Sequence, residues 1–585
     1  MSAGGTGRPL LIALLVALVL TGCVAVPTKG QIERIEGQQP ACQNCVNVDV
    51  APPTPGAEPL EIVQGYLRAN SNYQPNFSVA KQFLTKAAAQ SWSPEDGASI
   101  YTGTLTGSDD NVVLDATLIG TLGADRTYTA RDRKVGIDFG LVKENGEWRI
   151  GKPPPGLMVE QYSFASFYQP YNLYFIGNDG VLVPDPIYLP SLRSQSSTTS
   201  VLMKGLLNGP SAWLKPAVTS AIPVGTALSV DAVTVDDGVA AVALSDQVLS
   251  LNDAQRSLMA AQVVYTLKQV PGVQSVVFMV NQQPMRIPGT DTADFSIDVD
   301  SLGSDVDPIP FIAGQQLYVA RADGVRQFDA TATDVKSGKP LSGDLGNGRL
   351  VVDQLAASVS NTDLALVTDG GTVLRSSSTA GADLTTLLGS GASHLLRPQF
   401  SRFGELWALG RAGSGQRFWV FSGDKQLAVQ TPLLDGTNTI AFRISPDGSR
   451  IALVRRVKGH SELGLGRISR AADKIVVNGW RDIDTTQSNL PEIAGITDVA
   501  WVDDTTLLVL GTTSGSAVPA LFRVSQDASK ISLDTEPTTW DAHALSVLLS
   551  DQTTVVVGAT GRSWKGSGGQ WEPFVDGVRA ASYPG

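Results

Sequence analysis

Apolar residues form one short continuous run at the start of the chain and afterwards recur with two different periods. The run covers residues 9–20 (PLLIALLVALVL), which is the length of a signal-peptide core and too short to span a bilayer as a helix. Within residues 60–67, apolar positions follow the helical i, i+4 spacing. Beyond residue 308, short alternating apolar stretches bounded by turn residues indicate β-strands. The pattern therefore predicts a cleaved leader, helix-containing domains and a long all-β region.

The region 59–190 is predicted to be an α+β domain, with helices first and an antiparallel sheet after them. A second helix is predicted from the apolar stripe of residues 80–88, with Ser78 as its N-cap. After the breaker at residues 93–97, strand patterns extend through 112–122, 127–130, 135–142 and 148–150, the last after the Asn145-Gly146 turn.

The region 191–288 is predicted to be an α/β domain, because helical and strand patterns alternate along it. A hairpin at 171–190, built on Asn178-Asp179-Gly180, leads into it. The predicted elements are a helix ending at Leu206-Leu207, strands at 227–235 and 239–243, a helix at 253–269 and a strand at 273–280. An acidic linker, 289–307, follows.

The region 308–585 contains a repeat in which an apolar strand, a turn and a second apolar strand follow one another. The clearest copy is Ile444-Ser445-Pro446-Asp447-Gly448-Ser449-Arg450-Ile451. Counted from the residue after the first strand, the copies begin at 360, 401, 445, 502 and 550, and spacings of about forty to sixty residues are typical of four-stranded propeller blades. We therefore expect an all-β propeller of five to seven blades.

Residues Leu20, Thr21, Gly22 and Cys23 follow the apolar run and resemble the lipobox of bacterial lipoproteins. The resemblance implies cleavage of residues 1–22, lipid on Cys23 and anchoring at the extracytoplasmic face of the cell membrane. Residues 23–58 are rich in Gly, Pro and Gln and are expected to form a flexible tether. Cys42 and Cys45 lie in this tether, and a local disulfide is favoured over a catalytic dithiol in an exported chain.

Composition excludes some functions. The formal net charge is -12 and the pI about 4.9, so nucleic acid is not an expected partner. The three histidines, His394, His460 and His543, lie in separate stretches, which argues against a zinc site. The Ser78-x-x-Lys81 pattern lacks the other motifs of penicillin-binding proteins, and no nucleotide-binding or hydrolase motif occurs. We predict no catalytic site, metal or cofactor, although sequence leaves a glycosidase carboxylate pair open.

Two groups of motifs, in this order, resemble known domains. The segment Asn145-Gly146-Glu147-Trp148-Arg149-Ile150 is similar to the end of NTF2-like folds. The second region resembles the GerMN domain, through L-L-x-G-P at 206–210, I-P-x-G-T at 222–226 and Q-V-V-Y-T-L-x-Q-x-P-G-V at 262–273.

With the lipobox and the propeller repeat, the chain resembles the LpqB family of actinobacterial lipoproteins. That resemblance implies a regulatory partner of the extracytoplasmic domain of an MtrB-like sensor histidine kinase, acting on division and envelope signalling. Binding or processing of cell-wall glycan is one alternative, and an accessory role in transport or assembly at the envelope is another.

Overall fold

The computed structural model describes residues 50–72, 75–108, 111–191, 194–289, 295–313, 315–330, 332, 338–381, 383–389, 391–471, 474–486, 492–535, 541–567 and 569–585. The predicted leader, the predicted lipidation site Cys23, and Cys42 and Cys45 lie outside these residues. Residues Asp49–Gly585 form one compact unit. Within the described ranges, no helix has the length and apolar character needed to cross a membrane.

The first domain packs short helices against a four-stranded sheet of order β3-β2-β1-β6. Helix α1 begins after a capping box in which Glu58 and Glu61 satisfy each other's backbone amides, and its buried face includes Ile62, Val63 and Tyr66. The elements are α1 Pro59–Ser71, α2 Ser78–Gln82, α3 Lys86–Ser91, β1 Ala98–Ser108, β2 Asn111–Leu122, β3 Tyr128–Asp138, β4 Leu141–Glu144, β5 Glu147–Ile150, β6 Leu157–Glu160 and α4 Gln161–Phe167.

Two local predictions for this domain were wrong. The single helix expected at residues 80–88 is two helices, because Thr85 caps a new one by accepting a hydrogen bond from Ala88 N (3.2 Å). Ser78 is not an N-cap; it is the first residue of α2, and Phe77 in the left-handed region precedes it. Strand β1, which the sequence pattern did not predict, pairs with both β2 and β6.

The second domain places two helices against a mixed sheet of order β12-β11-β10-β9, in which β10 and β11 are parallel. The hairpin β7–β8 contributes Phe175 and Val183 to the core of this domain. The strand expected at 227–235 is much shorter in the structure, where only Thr234–Asp236 forms a strand. The elements are β7 Tyr168–Ile176, β8 Leu182–Pro190, α5 Gln195–Asn208, β9 Thr234–Asp236, β10 Val239–Leu244, α6 Asp253–Leu267, β11 Ser275–Val280, β12 Gln283–Pro284 and β13 Ile297–Asp298.

The third region is a propeller whose described strands form six four-stranded blades. Blade 1 joins β14 Gln316–Arg321, β15 Gly324–Asp329 and β16 Lys339–Pro340 to the last strand, β37 Val578–Ser582, and the short α7 Gly343–Gly346 follows it. Blade 2 is β17 Val352–Ala357, β18 Asp363–Thr368, β19 Val373–Ser378 and β20 Thr385–Leu388. Blade 3 is β21 Gln399–Phe400, β22 Glu405–Ala412, β23 Gly415–Ser422 and β24 Lys425–Gln430.

Blade 4 is β25 Asn438–Ile444, β26 Arg450–Val457, β27 His460–Ala471 and β28 Lys474–Asp482. Blade 5 is β29 Ile493–Trp501, β30 Thr506–Thr513, β31 Ala520–Ser525 and β32 Ile531–Thr535. Blade 6 is β33 Ala542–Val547, β34 Thr554–Gly558, β35 Ser563–Ser567 and β36 Gln570–Pro573. Blades 3 and 4 are further joined by parallel pairing of their outer strands β24 and β28.

The five repeat copies occupy one position in the fold. Each forms the turn between the first and second strands of blades 2 to 6, as with Ser445 to Ser449 between β25 and β26. The first strands of neighbouring blades contact one another around a central channel. Blade 1 has no such turn because β37 and β14 come from opposite ends of the region and close the ring by antiparallel pairing. The prediction of a propeller is confirmed, with six blades.

Candidate functional site

The turn that carries the clearest repeat is held by a buried ion pair. The side chains of Asp447 and Arg450 form a salt bridge and are both fully buried. Asp447 Oδ1 also accepts hydrogen bonds from Ser449 N (2.8 Å) and Ser445 Oγ (3.1 Å). Arg450 donates further to Asp504 O (2.8 Å) in the next blade. The pair therefore stabilises this turn, and Arg450 connects it to the corresponding turn of blade 5.

The second domain contacts the side of the propeller that carries the turns between the first and second strands of the blades. We call this side the docked face. Tyr174 Oη donates to Asp504 Oδ2 (2.9 Å), and Tyr188 Oη donates to Asp527 Oδ2 (2.9 Å) and contacts Ser529. Burial raises the pKa of Asp504 to about 6, and the neighbouring charge of Asp503 acts in the same direction. The contact between domains thus contains a carboxylate that titrates near neutral pH.

Trp213 provides a second contact between the domains, against the outer strands of blade 4. Its Nε1 donates to Gly479 O (2.7 Å), and its own carbonyl accepts from Arg467 Nη1. The guanidinium groups of Arg467 and Arg481 lie 5.9 Å and 5.6 Å from the indole centroid. The first domain adds a contact in which Arg481 Nη2 donates to Tyr128 O (3.0 Å). These polar contacts connect all three domains in one unit.

The end of the linker also lies against the propeller. Arg402, beside the turn of blade 3, donates to the carbonyl oxygens of Asp307 (2.6 Å), Pro308 (3.2 Å) and Asp305 (3.4 Å). Ala313 N donates to Val359 O (3.3 Å) in blade 2. The linker thus reaches the docked face next to the channel.

The central channel contains a cluster of charged side chains from three blades. Asp498 of β29 accepts from Arg443 Nη2 at 2.9 Å and 3.2 Å, and Arg397 Nη2 lies 3.6 Å from the same carboxylate. Asp498 also accepts from the backbone amides of Leu545 (3.0 Å) and Val499 (2.9 Å). All three charged side chains are at most 12% exposed. Sequence reasoning did not find this cluster, because its members are separated along the chain and belong to no motif.

The turns between the second and third strands of blades 3 and 4 carry exposed basic residues. We call Arg411, Arg456 and Lys458 the basic turns; all three side chains are exposed. They lie where β22 ends and where β26 passes into β27. In the described part of the chain, none of the three forms an ion pair, so their charge faces solvent.

The residues weighed for chemistry from the sequence do not come together. His394 precedes blade 3, His460 begins β27 in blade 4 and His543 lies in β33 of blade 6. Among the described residues, no group of three or more side chains could hold a metal ion. Ser78 and Lys81 both lie in the five-residue helix α2.

Three family models match successive parts of the chain. Residues 52–165 match the N-terminal domain of lipoprotein LpqB, residues 172–286 match the sporulation and spore germination (Germane) domain, and residues 330–584 match the beta-propeller domain of lipoprotein LpqB. None of these descriptions names an enzyme family. The matches fall on the three regions in which the sequence motifs suggested the resemblance.

Curated relatives agree with the family models. Lipoprotein LpqB of Cutibacterium acnes is 28% identical and covers 88% of each chain, and that of Streptomyces avermitilis is 27% identical over 100% of this chain and 99% of its own. Among solved structures, a nidogen/laminin complex aligns with 46% of this chain and 97% of its own at 9% identity and a TM-score of 0.34. The family models and the relatives that match along most of the chain indicate the same family, and the chain belongs to the LpqB family of actinobacterial lipoproteins.

Proposed function

We propose that this lipoprotein is held by lipid on Cys23 at the extracytoplasmic face of the cell membrane and binds the extracytoplasmic domain of an MtrB-like sensor histidine kinase. In this role it is not an enzyme, and it modulates envelope and division signalling by contact. The lipobox supports the anchor, and the family resemblance supports the partner. Two acyl chains meet the requirement for stable membrane attachment, and the tether confines the folded domains near the kinase, which raises their effective concentration.

The observation that carries the proposal is the connection of the propeller to the second domain. Buried hydrogen bonds from Tyr174 and Tyr188 and the contacts of Trp213 keep the propeller in a fixed orientation on the domains that follow the tether. A rigid surface loses little conformational entropy when a partner binds it. The arrangement is therefore suited to presenting one surface of the propeller to a neighbouring membrane protein.

We assign the contact to the basic turns. Their charges lack carboxylate partners in the described structure, although the chain as a whole is acidic. Exposed charges at the rim of an interface accelerate association and select partners of opposite charge. An acidic surface on the sensor domain would complement Arg411, Arg456 and Lys458.

Crosslinking and pull-down of the full chain from intact membranes tests the proposal, with recovery of the sensor kinase as the readout. We expect Arg456→Glu with Lys458→Glu to lower recovery about tenfold, because reversing two rim charges replaces attraction by repulsion. The matched control is Lys425→Glu with Lys474→Glu, which makes the same change in net charge at exposed positions near the opposite ends of the strands.

Two results would contradict the proposal. Recovery of no kinase above background by the wild-type chain would reject the partner. Equal loss in both double variants would reject the basic turns as the contact. Recovery of cell-wall glycan in place of a kinase would favour the alternative function.

A further inference from the structure

The pocket at the docked end of the channel is lined by several positively charged side chains. Three guanidinium groups line it, those of Arg397, Arg402 and Arg443, and among the described residues no carboxylate side chain lines it. Asp498 pairs with two of these arginines from the channel wall. Gly585 also lines the pocket, and none of the described ion pairs joins it to these arginines. Asp498 is thus the one carboxylate in a described ion pair with these two nearly buried arginines, and Arg402 lies at the rim.

The arginines have unused hydrogen-bonding capacity. A guanidinium has five N–H donors. Arg397 donates a hydrogen bond to Leu545 O, and its Nη2 lies 3.6 Å from Asp498 Oδ2. Arg443 uses its two terminal nitrogens, on Phe442 O and Asp498. In the described contacts, Nε of neither residue has an acceptor. Positive charge in a desolvated site without an equal negative charge is unfavourable, and burial lowers the pKa of Arg397 despite the attraction of Asp498.

The rest of the pocket limits the size and character of a ligand. Trp501, Phe400, Pro446 and Val359 supply apolar surface around the charged floor. The enclosed space admits only a few water-sized groups and is partly open to solvent. A flat or branched apolar body could therefore rest at the rim while a small charged head reaches the arginines.

We propose that the propeller channel is a binding site for an anion, a carboxylate or phosphate group held by the guanidinium groups of Arg397 and Arg443. Arg–carboxylate and Arg–phosphate hydrogen bonds are short, charge-assisted and often bidentate. The anion adds a negative charge beside the two arginines that share Asp498. This site is distinct from the basic turns and does not depend on the proposed kinase contact.

The test measures the thermal unfolding midpoint of the full chain in detergent with inorganic phosphate, acetate or butyrate, at an ionic strength held constant with chloride. At about ten times the dissociation constant, a site specific to the folded state contributes about 1.4 kcal/mol, which raises the midpoint of a unit of this size by about 1 °C. A larger effect of butyrate than of acetate indicates an organic carboxylate that uses the apolar rim. An equal or larger effect of phosphate indicates a free phosphate or phosphate ester.

The variant Arg397→Gln separates binding from folding. It removes the less tightly paired arginine and leaves the ion pair between Asp498 and Arg443 intact. We expect its midpoint without anion to equal or exceed that of the wild type, and its anion affinity to fall at least about tenfold. Asp498→Asn should have the opposite effect and strengthen anion binding, because it removes a negative charge beside the arginines. If this variant destabilises the chain, phosphate should raise the midpoint of the variant more than that of the wild type.

Arg456→Gln, at an exposed position, is the matched control and should respond to anions as the wild type does. The proposal fails if phosphate, acetate and butyrate shift the wild-type midpoint no more than chloride does. It also fails if Arg397→Gln retains the full shift, since the anion would then bind elsewhere.

Discussion

Replacing Trp213 with alanine should weaken the connection between the second domain and the propeller. The substitution removes the hydrogen bond to Gly479 O, which contributes about 1 kcal/mol, and two cation–π contacts of about 0.5–1 kcal/mol each at half-exposed sites. It also exposes apolar surface of the blade 4 and 5 core against which the indole packs. We expect a loss of about 3 kcal/mol in the free energy that couples the two domains.

Urea unfolding of the full chain, followed by hydrogen exchange at β28, measures this loss. The wild type should unfold β28 together with the second domain, whereas Trp213→Ala should expose the β28 amides at lower urea. Trp213→Phe keeps a ring over the guanidinium groups and should lose only about 1 kcal/mol. Tyr162→Ala is the control, because that ring is 74% exposed. If Trp213→Ala exchanges and unfolds as the wild type does, the contact does not connect the domains as described.

Three further predictions concern the docked face and the anchor. Burial raises the pKa of Asp504 to about 6 from its model-compound value of 3.8. Between these two pH values the folded chain keeps a proton that the unfolded chain releases. The free energy of unfolding should therefore fall as the pH rises from about 4 to about 6. Asp504→Asn, which still accepts from Tyr174, should reduce that slope in urea unfolding at a series of pH values; an unchanged slope would refute the assignment. Asp447→Ala should lower the free energy of unfolding by about 3–5 kcal/mol, because it leaves Arg450 buried without its carboxylate. Asp551→Ala, in the exposed turn of blade 6, should lower it far less. Equal losses of both variants in denaturant unfolding would be inconsistent with this reasoning. Cys23→Ser should move the chain from the membrane fraction to the soluble fraction, and normal maturation with continued membrane association would rule out the anchor.

Local turn chemistry explains why the propeller could be predicted from sequence. Each repeat copy contains two apolar strands and their connecting turn, so all the information lies within a dozen or so residues. Five copies gave a range of blade numbers, because blade 1 carries no copy and is built from strands at opposite ends of the region. Its closure depends on a contact between distant parts of the chain, and no local pattern encodes that contact.

Elements with a weak apolar period were harder to predict. Strand β1 interrupts its threonines, which favour strands, with Gly and Ser, which favour turns. Its pairing with β2 and β6 gives it strand structure. The helix predicted at 80–88 kept its apolar stripe in the structure, but the threonine cap divided it. The contacts of Trp213 and the cluster at Asp498 depend on tertiary packing between regions, so the sequence contained no signal for either.

The pairing of β37 with β14 has a consequence for biogenesis. The innermost strand of blade 1 is synthesised after all the other described strands of the propeller, so the ring can close only once those strands have been made. Until then, the inner edge of β14 presents unpaired backbone groups that could pair with another chain. Deleting residues 578–585 would leave that edge open permanently, and we expect such a truncated chain to self-associate even though its other five blades retain all their strands.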